Sequence, residues 1–274
     1  MKAFLLATLR MSVPYLLAAS AGVVSERSGV INFALEGFML VAAFVTALVA
    51  LATDNLWLGA LAGVLGGALY ALGYYGLAAR FRANQVLLGI AFNMAAIGIT
   101  RFALKLSYDS ASNSPRVAAE ATLWPLVVLA LAAVAWLVSR SRFAVRLTAA
   151  GDHPPALLAQ GLSPTRVRAT ALMLGGALCG LAGATLVTSQ HQFTDSMTAG
   201  RGYIAVAAVV FGGWRLVPVL LVCVLFAAAE VLDFELQAAN VFAPQIAQML
   251  PYVVCLLALG LRRTTHRAPL ALGE

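Results

Sequence analysis

The chain has 274 residues, 62% hydrophobic and 11% charged, with a mean hydropathy of +0.90. A soluble domain carries roughly 25% charged residues and needs polar cover, so this composition excludes a soluble globular fold, a disordered chain and a coiled coil. The net charge of +7, from 18 basic and 11 acidic residues, reads here as loop orientation across a bilayer, not as nucleic-acid binding.

Runs free of Asp, Glu, Lys and Arg cover 11–25, 37–53, 55–79, 83–100, 121–139, 169–194, 202–214, 216–229 and 236–261. A spanning helix needs about 20 apolar residues. The runs and their flanks predict one all-α domain over 1–274, a polytopic transmembrane bundle of eight or nine helices. These fall at about 3–24, 33–53, 57–79, 85–106, 121–139, 169–189, 200–213, 217–235 and 246–261. Lys2, the apolar stretch and Ala18-Ala19-Ser20-Ala21 fit a signal peptide loosely, but Arg10 interrupts the run, so a retained first helix is expected.

After the first helix comes Ser-Glu-Arg-Ser-Gly-Val-Ile-Asn-Phe-Ala-Leu-Glu-Gly at 25–37, polar groups wedged between apolar runs. Within a bilayer such groups must be paired or face water. Glu26 and Arg27 can neutralise each other or mark a helix end, and Gly29 and Gly37 permit a broken helix. Asn32 and Glu36 are therefore candidates for lining a pathway; an ordinary turn is the other reading, and both hold if the turn is tucked into the bundle. On the fourth helix Asn93 either lines the path or bonds a neighbouring helix, and Arg101 is expected to reach the outer surface.

The longest polar stretch, 140–168, carries Arg140, Arg142, Arg146, Arg166 and Arg168 and is expected in the cytoplasm. Alternation from there puts Arg27, Arg80, Arg82, Arg215, Arg262, Arg263 and Arg267 on the same side, 12 of 18 basic residues. The N-terminus then lies outside, the C-terminus inside, and loops 107–120 and 190–201 face outward. Lys2 and Arg10 count mildly against this. In 150–168, Asp152 is placed to cap a short helix with Pro154 or Pro155 in its first turn, Gly161 ends it, and Ser163-Pro164 starts the next. Ala156, Leu157 and Leu158 would then be exposed, to dock in a partner's groove or to lie on the membrane.

Gly175, Gly176, Gly180 and Gly183 predict a small-residue face for close helix contact. The run 202–214, with Gly212-Gly213, reads as a half-helix or a broken span. Glu230 and Asp233, three apart near a predicted helix end, mark either a wet terminus or an outer vestibule. An internal echo links Glu36-Gly37-Phe38-Met39-Leu40-Val41-Ala42-Ala43-Phe44 to Arg201-Gly202-Tyr203-Ile204-Ala205-Val206-Ala207-Ala208-Val209. It predicts inverted halves at about 10–140 and 169–261 with a site near the middle.

Chemical motifs are missing from the sequence. Cys179, Cys223 and Cys255 are far apart in apolar runs, and His153, His191 and His266 are dispersed, so neither a metal site nor a cofactor is expected. There is no Gly-x-x-x-x-Gly-Lys-Ser/Thr loop for ATP and no Gly-x-Ser-x-Gly elbow, so the chain is not expected to be an enzyme.

Residues 25–44 resemble the signature of permease subunits of bacterial ABC importers for nucleosides, ribose-type sugars and branched-chain amino acids. Ala83-Asn84-Gln85-Val86 through Asn93, residues 149–168, and Gly200-Arg201-Gly202-Tyr203-Ile204-Ala205 through Gly212-Gly213-Trp214 resemble three further motifs of the nucleoside branch, in order. The chain lacks the extra N-terminal helix of the ribose-type members and has Asp152 where Glu is common. It also lacks a His near Leu35-Glu36 typical of the branched-chain group, which favours nucleosides or sugars over amino acids. The resemblance implies a multi-pass inner-membrane permease subunit that imports a nucleoside or related small polar solute. A second permease, the same or related, would enclose the path with it; cytoplasmic ATPase subunits would hold the coupling helix, and an extracytoplasmic binding protein would deliver cargo. The expected pathway residues are Asn32, Glu36, Asn93 and Gln190. The expected coupling residues are Asp152, His153, Pro154, Pro155, Ala156, Leu157, Leu158 and Gly161. An ion-coupled secondary transporter is the distant alternative, with Glu36 as the only mid-run carboxylate near a span.

Overall fold

Where the sequence withholds charge, the backbone has no reason to leave its own hydrogen bonds, and it forms helices. The computed structural model describes residues 2–110, 112–117, 122–238, 253 and 268–273. The described helices are α1 (Lys2–Arg27), α2 (Leu35–Thr53), α3 (Leu56–Phe81), α4 (Gln85–Tyr108), α5 (Trp124–Ser139), α6 (Arg142–Asp152), α7 (Pro154–Ala159), α8 (Pro164–Gln190), α9 (Arg201–Gly212) and α10 (Leu216–Ala238). Six of them, α1, α2, α3, α4, α8 and α10, are long and apolar enough to cross a membrane. α5 and α6 pass together as a seventh, bent by 65° at the break. The predicted helix 246–261, Cys255, His266 and the arginines at 262, 263 and 267 lie outside the described residues.

The glycine face of α8 is the centre of the bundle. A Cβ on Gly176 would collide with the carbonyl of Gly67 on α3, and one on Gly180 would lie 2.6 Å from the carbonyl of Gly63. Gly183 abuts Met39 and Ala43 of α2, and Gly175 abuts Ala21 of α1. Only backbone fits there, so the predicted small-residue face is realised on three sides. Large apolar side chains such as Leu65 and Leu69 on α3, Phe102 and Leu106 on α4, and Leu221 on α10 are exposed, as helices facing lipid require. The chain is a multi-pass membrane protein.

Two chain breaks dip into this bundle. Residues 28–34 turn back alongside the end of α1: the Asn32 amide donates to Ser25 Oγ at 3.2 Å, and Leu35 lies beside Gly22. Gly29 (φ +93°) makes the reversal in a conformation open to glycine. α9 runs beside the second half of α1. Its Arg201 lies over the Tyr15 ring at 5.9 Å, Val209 packs at Gly22, and Trp214, just past its end, donates to Glu26 at 2.6 Å. Tyr15 and Glu26 are about 17 Å apart along α1 at 1.5 Å per residue. α9 therefore covers about half of a hydrocarbon layer roughly 30 Å thick. The half-helix reading of 202–214 holds. α2 and α9 start inside the bundle and point in opposite directions.

One end of the molecule holds Arg27, α6, α7 and the segment 268–273. The Arg27 guanidinium donates to Thr148 Oγ1 at 3.2 Å, Ala271 N–H to the Gly151 carbonyl at 2.7 Å, and Gly273 N–H to the Gly29 carbonyl at 2.9 Å. Glu26 and Arg27 thus take different partners instead of each other. At the opposite end, Ser114 N–H donates to the Phe193 carbonyl (2.9 Å), Val117 N–H to His191 (2.8 Å) and Asp195 N–H to Ser112 (2.8 Å). The two connections predicted to share a side are hydrogen-bonded into one platform.

Candidate functional site

A helix start leaves backbone N–H groups without intrahelical partners and carries partial positive charge. Inside an apolar bundle those groups need a protein acceptor. For α9 the acceptor is Glu36: one carboxylate oxygen takes the Gly200 N–H at 2.8 Å and the other takes the Gly202 N–H at 2.6 Å. The approach is so close that a methyl on Gly202 would strike the Glu36 backbone. For α2 the acceptor is Asn93, whose Oδ1 takes the Gly37 N–H at 2.8 Å. The Asn93 amide then donates to the Phe33 carbonyl at 2.8 Å and to the Tyr203 phenol oxygen at 3.0 Å. The two echoed segments therefore meet, each glycine amide held by a side chain from elsewhere.

Three predicted pathway residues come together here, and all three are buried: Asn32 is 0% exposed, Glu36 8% and Asn93 2%. Asn32 Oδ1 also accepts the Ala34 N–H at 3.2 Å, which shapes the turn into α2. Of the two readings of Asn93, the bond to neighbouring elements is the one observed. Gln190 is elsewhere. It is exposed at the end of α8 and lines a cleft of about 540 Å³ together with Arg10, Pro14, Thr122, Trp124 and Arg201.

Arg201 ties this cleft to the junction. Its neighbours Gly200 and Gly202 bond Glu36, while its own guanidinium pairs with Glu230 on α10 at 2.8 Å. The Tyr15 hydroxyl donates to the other Glu230 oxygen at 2.8 Å. Glu230 thus sits well inside α10, half-buried and not at a wet terminus; Asp233 is buried and accepts from Gln237 at 2.7 Å. The sequence reading missed this triad. Opposite charges at 201 and 230, each bordering or ending an apolar run, were the available signal, because isolated charges there need partners. Arg101 does reach the surface, where it pairs with Asp195 of the platform at 2.7 Å.

At the other end, α7 is the predicted two-turn helix in position, but its cap differs. Asp152 is the last residue of α6, and His153 stands at the start of α7 without a side-chain cap. The residue before a proline resists helical geometry, so Pro154 forces the break at His153 and leaves Asp152 to the preceding helix. The Asp152 carboxylate accepts the Leu270 N–H at 3.3 Å instead. Gly161 (φ +71°) ends the short helix, donating to the Leu158 carbonyl at 3.0 Å, and Pro164 opens α8 as expected. Of the three residues expected to be exposed, Leu158 is; Ala156 is half-buried, and Leu157 is buried against Ala150 and Val167. Arg168 donates to the Ser28 carbonyl at 3.2 Å and to the Ala150 carbonyl at 3.3 Å. The α6–α7 region is therefore fastened to the 28–34 turn, and through it to the start of α2.

Among the described residues no group of three or more His, Cys, Asp or Glu is placed to hold a metal ion. What the arrangement offers mechanically is two opposed helix starts joined to each other.

Residues 4–259 match the family described as branched-chain amino acid transport system / permease component. The chain is 32% identical to the guanosine ABC transporter permease protein NupQ of Bacillus subtilis over 285 residues, covering 92% of this chain and 89% of that protein. It is 28% identical to the nucleoside ABC transporter permease protein NupC of Lactococcus lactis, covering 96% and 92%. A putative glucose ABC transporter permease protein of Haloferax volcanii, TsgC13, is 31% identical, covering 85% and 78%. No solved structure matches the chain.

Proposed function

The chain belongs to the branched-chain amino acid transport system permease family, and we propose that it imports a nucleoside across a bacterial cytoplasmic membrane as the membrane subunit of an ATP-binding-cassette importer. The observation that carries this reading is the end-to-end likeness to a guanosine permease, with a nucleoside permease beside it. Cytoplasmic ATPase subunits engage α7, with Leu158 as the exposed apolar contact and Asp152, His153, Pro154, Pro155 and Gly161 shaping its ends. A second permease subunit, identical or related, completes the path. A binding protein delivers cargo onto the platform formed by 112–117 and 191–195. The N-terminus then lies outside, and segment 268–273 lies inside with α7.

The driving force is borrowed. The ATPase shifts the permease between states only if it binds them differently. The hydrogen bonds of Arg168 to Ser28 and to Ala150 of α6 support a route from α7 to α2, and Glu36 extends that route to α9. In this reading Asn32, Glu36 and Asn93 hold the pathway walls in place, and Gln190 contributes to the outer cleft. The matching arrangement of helices, with α3 and α10 packed against α8 and α1 respectively, supports the reading of two inverted halves.

The test is uptake of radiolabelled guanosine by cells carrying the complete transporter. Uptake should stop when the partner ATPase is inactivated; uptake that continued on a proton gradient alone would overturn the reading. The likeness to a glucose permease favours a sugar as the second reading, and competition by unlabelled glucose but not guanosine would select it. Leu158→Asp should leave the protein in the membrane while ATP hydrolysis continues without transport.

A further inference from the structure

Around the meeting point of α2 and α9 the polar side chains are spent on the protein itself, with one exception. Tyr203, in the first turn of α9, is 46% exposed, while Asn32, Glu36 and Asn93 are buried. Its phenol oxygen accepts the Asn93 amide at 3.0 Å, which leaves the hydroxyl hydrogen with no acceptor among the described residues. Gly202, the preceding residue, is pinned to Glu36, so the α9 start is held in place and the Tyr203 position with it.

A phenol O–H without an acceptor is costly in hydrocarbon and comfortable beside water or a polar solute. A tyrosine ring presents a flat face suited to stacking on a heterocycle, with a polar tip for a hydrogen bond. We infer that Tyr203 is the residue that touches cargo in the pathway: its ring stacks on the nucleobase, and its hydroxyl, oriented by Asn93, donates to an acceptor on the base or the sugar. Asn93 is the positioning residue for that hydroxyl. The inference rests on the nucleoside reading above and adds to it a residue that distinguishes a base-bearing solute from a bare sugar.

The experiment uses the complete transporter in proteoliposomes, with guanosine and ribose as probes. In the Tyr203→Cys variant the new thiol should react with a polar thiol reagent, above the background of the native cysteines. Saturating guanosine should slow that reaction at least about fivefold, and ribose should not. Tyr203→Leu should lower guanosine uptake at saturation about tenfold, whereas Tyr203→Phe, which keeps the ring, should lose about fivefold or less. The amount of assembled transporter should be unchanged in both. An unreactive thiol, equal protection by ribose, or uptake by Tyr203→Leu at the wild-type rate overturns the assignment. Loss of assembly in Tyr203→Leu and Tyr203→Phe alike makes Tyr203 a packing residue and also overturns it. A wild-type transporter that ignores guanosine refutes the functional reading itself, and this inference falls with it.

Discussion

The starts of α2 and α9 solve one problem in two ways. Both are helix ends lodged inside an apolar bundle, and both expose a glycine N–H that needs an acceptor. At α2 the acceptor is the neutral amide of Asn93, 2.8 Å from Gly37. At α9 it is the Glu36 carboxylate, which takes two amides. Charge-assisted bonds are roughly twice as strong as neutral ones, and the carboxylate also opposes the positive end of the helix. α9 therefore has the more firmly fastened of the two helix starts, and its fastener comes from the first turn of α2. The difference teaches that the two breaks are not independent: releasing α9 means moving Glu36, and hence the start of α2.

This contrast can be broken directly. Glu36→Ala removes both acceptors at once and should give the largest loss, about 3–5 kcal/mol, read as a fall in the melting temperature of the detergent-purified protein and as lost uptake. Glu36→Gln, which keeps one acceptor, should fall between the two. Next comes Gly202→Ala, whose methyl has no room at the Glu36 backbone; a cost of about 1–3 kcal/mol is expected from overpacking. Asn93→Ala should cost about 1–2 kcal/mol, less than Glu36→Ala, since a neutral cap is lost. If Asn93→Ala proves the more damaging, the ranking of the two breaks is reversed. Arg101→Ala, at an exposed ion pair on the platform, should leave the melting temperature unchanged, because screened surface pairs contribute little; a clear drop would mean that the platform helps to hold the bundle.

Much of the fold was legible because in a membrane the absence of charge is itself a structural signal. The boundaries of α2, α3, α4 and α8 fall within about five residues of the helices predicted from the charge-free runs, and the short run 202–214 announced a half-helix by its length. The glycines of α8 declared a close-packing face by their spacing. The candidate site was legible only in part. Asn32, Glu36 and Asn93 stood out because polar groups in apolar surroundings need a reason, yet that reason is a partner more than a hundred residues away in the case of Glu36. Local pattern carries no information about such a pairing. The same blindness explains Tyr15, Arg201 and Glu230, whose three elements meet only after α9 has folded against α1 and α10. The cap assigned to Asp152 failed for a local reason: an Asp before His-Pro-Pro fits a helix start, but it equally fits the last turn of the helix before it. Leu157 and Leu158 are adjacent on a helix, and sequence alone could not tell which of them faces α6 and α8.

The bond from the Trp214 indole to Glu26 gives the molecule a built-in optical reporter. The chain has four tryptophans; with Trp57, Trp124 and Trp136 replaced by phenylalanine, emission would come from the far end of α9 alone. A shift of its wavelength would report any change in the contact between α9 and α1 without an attached dye.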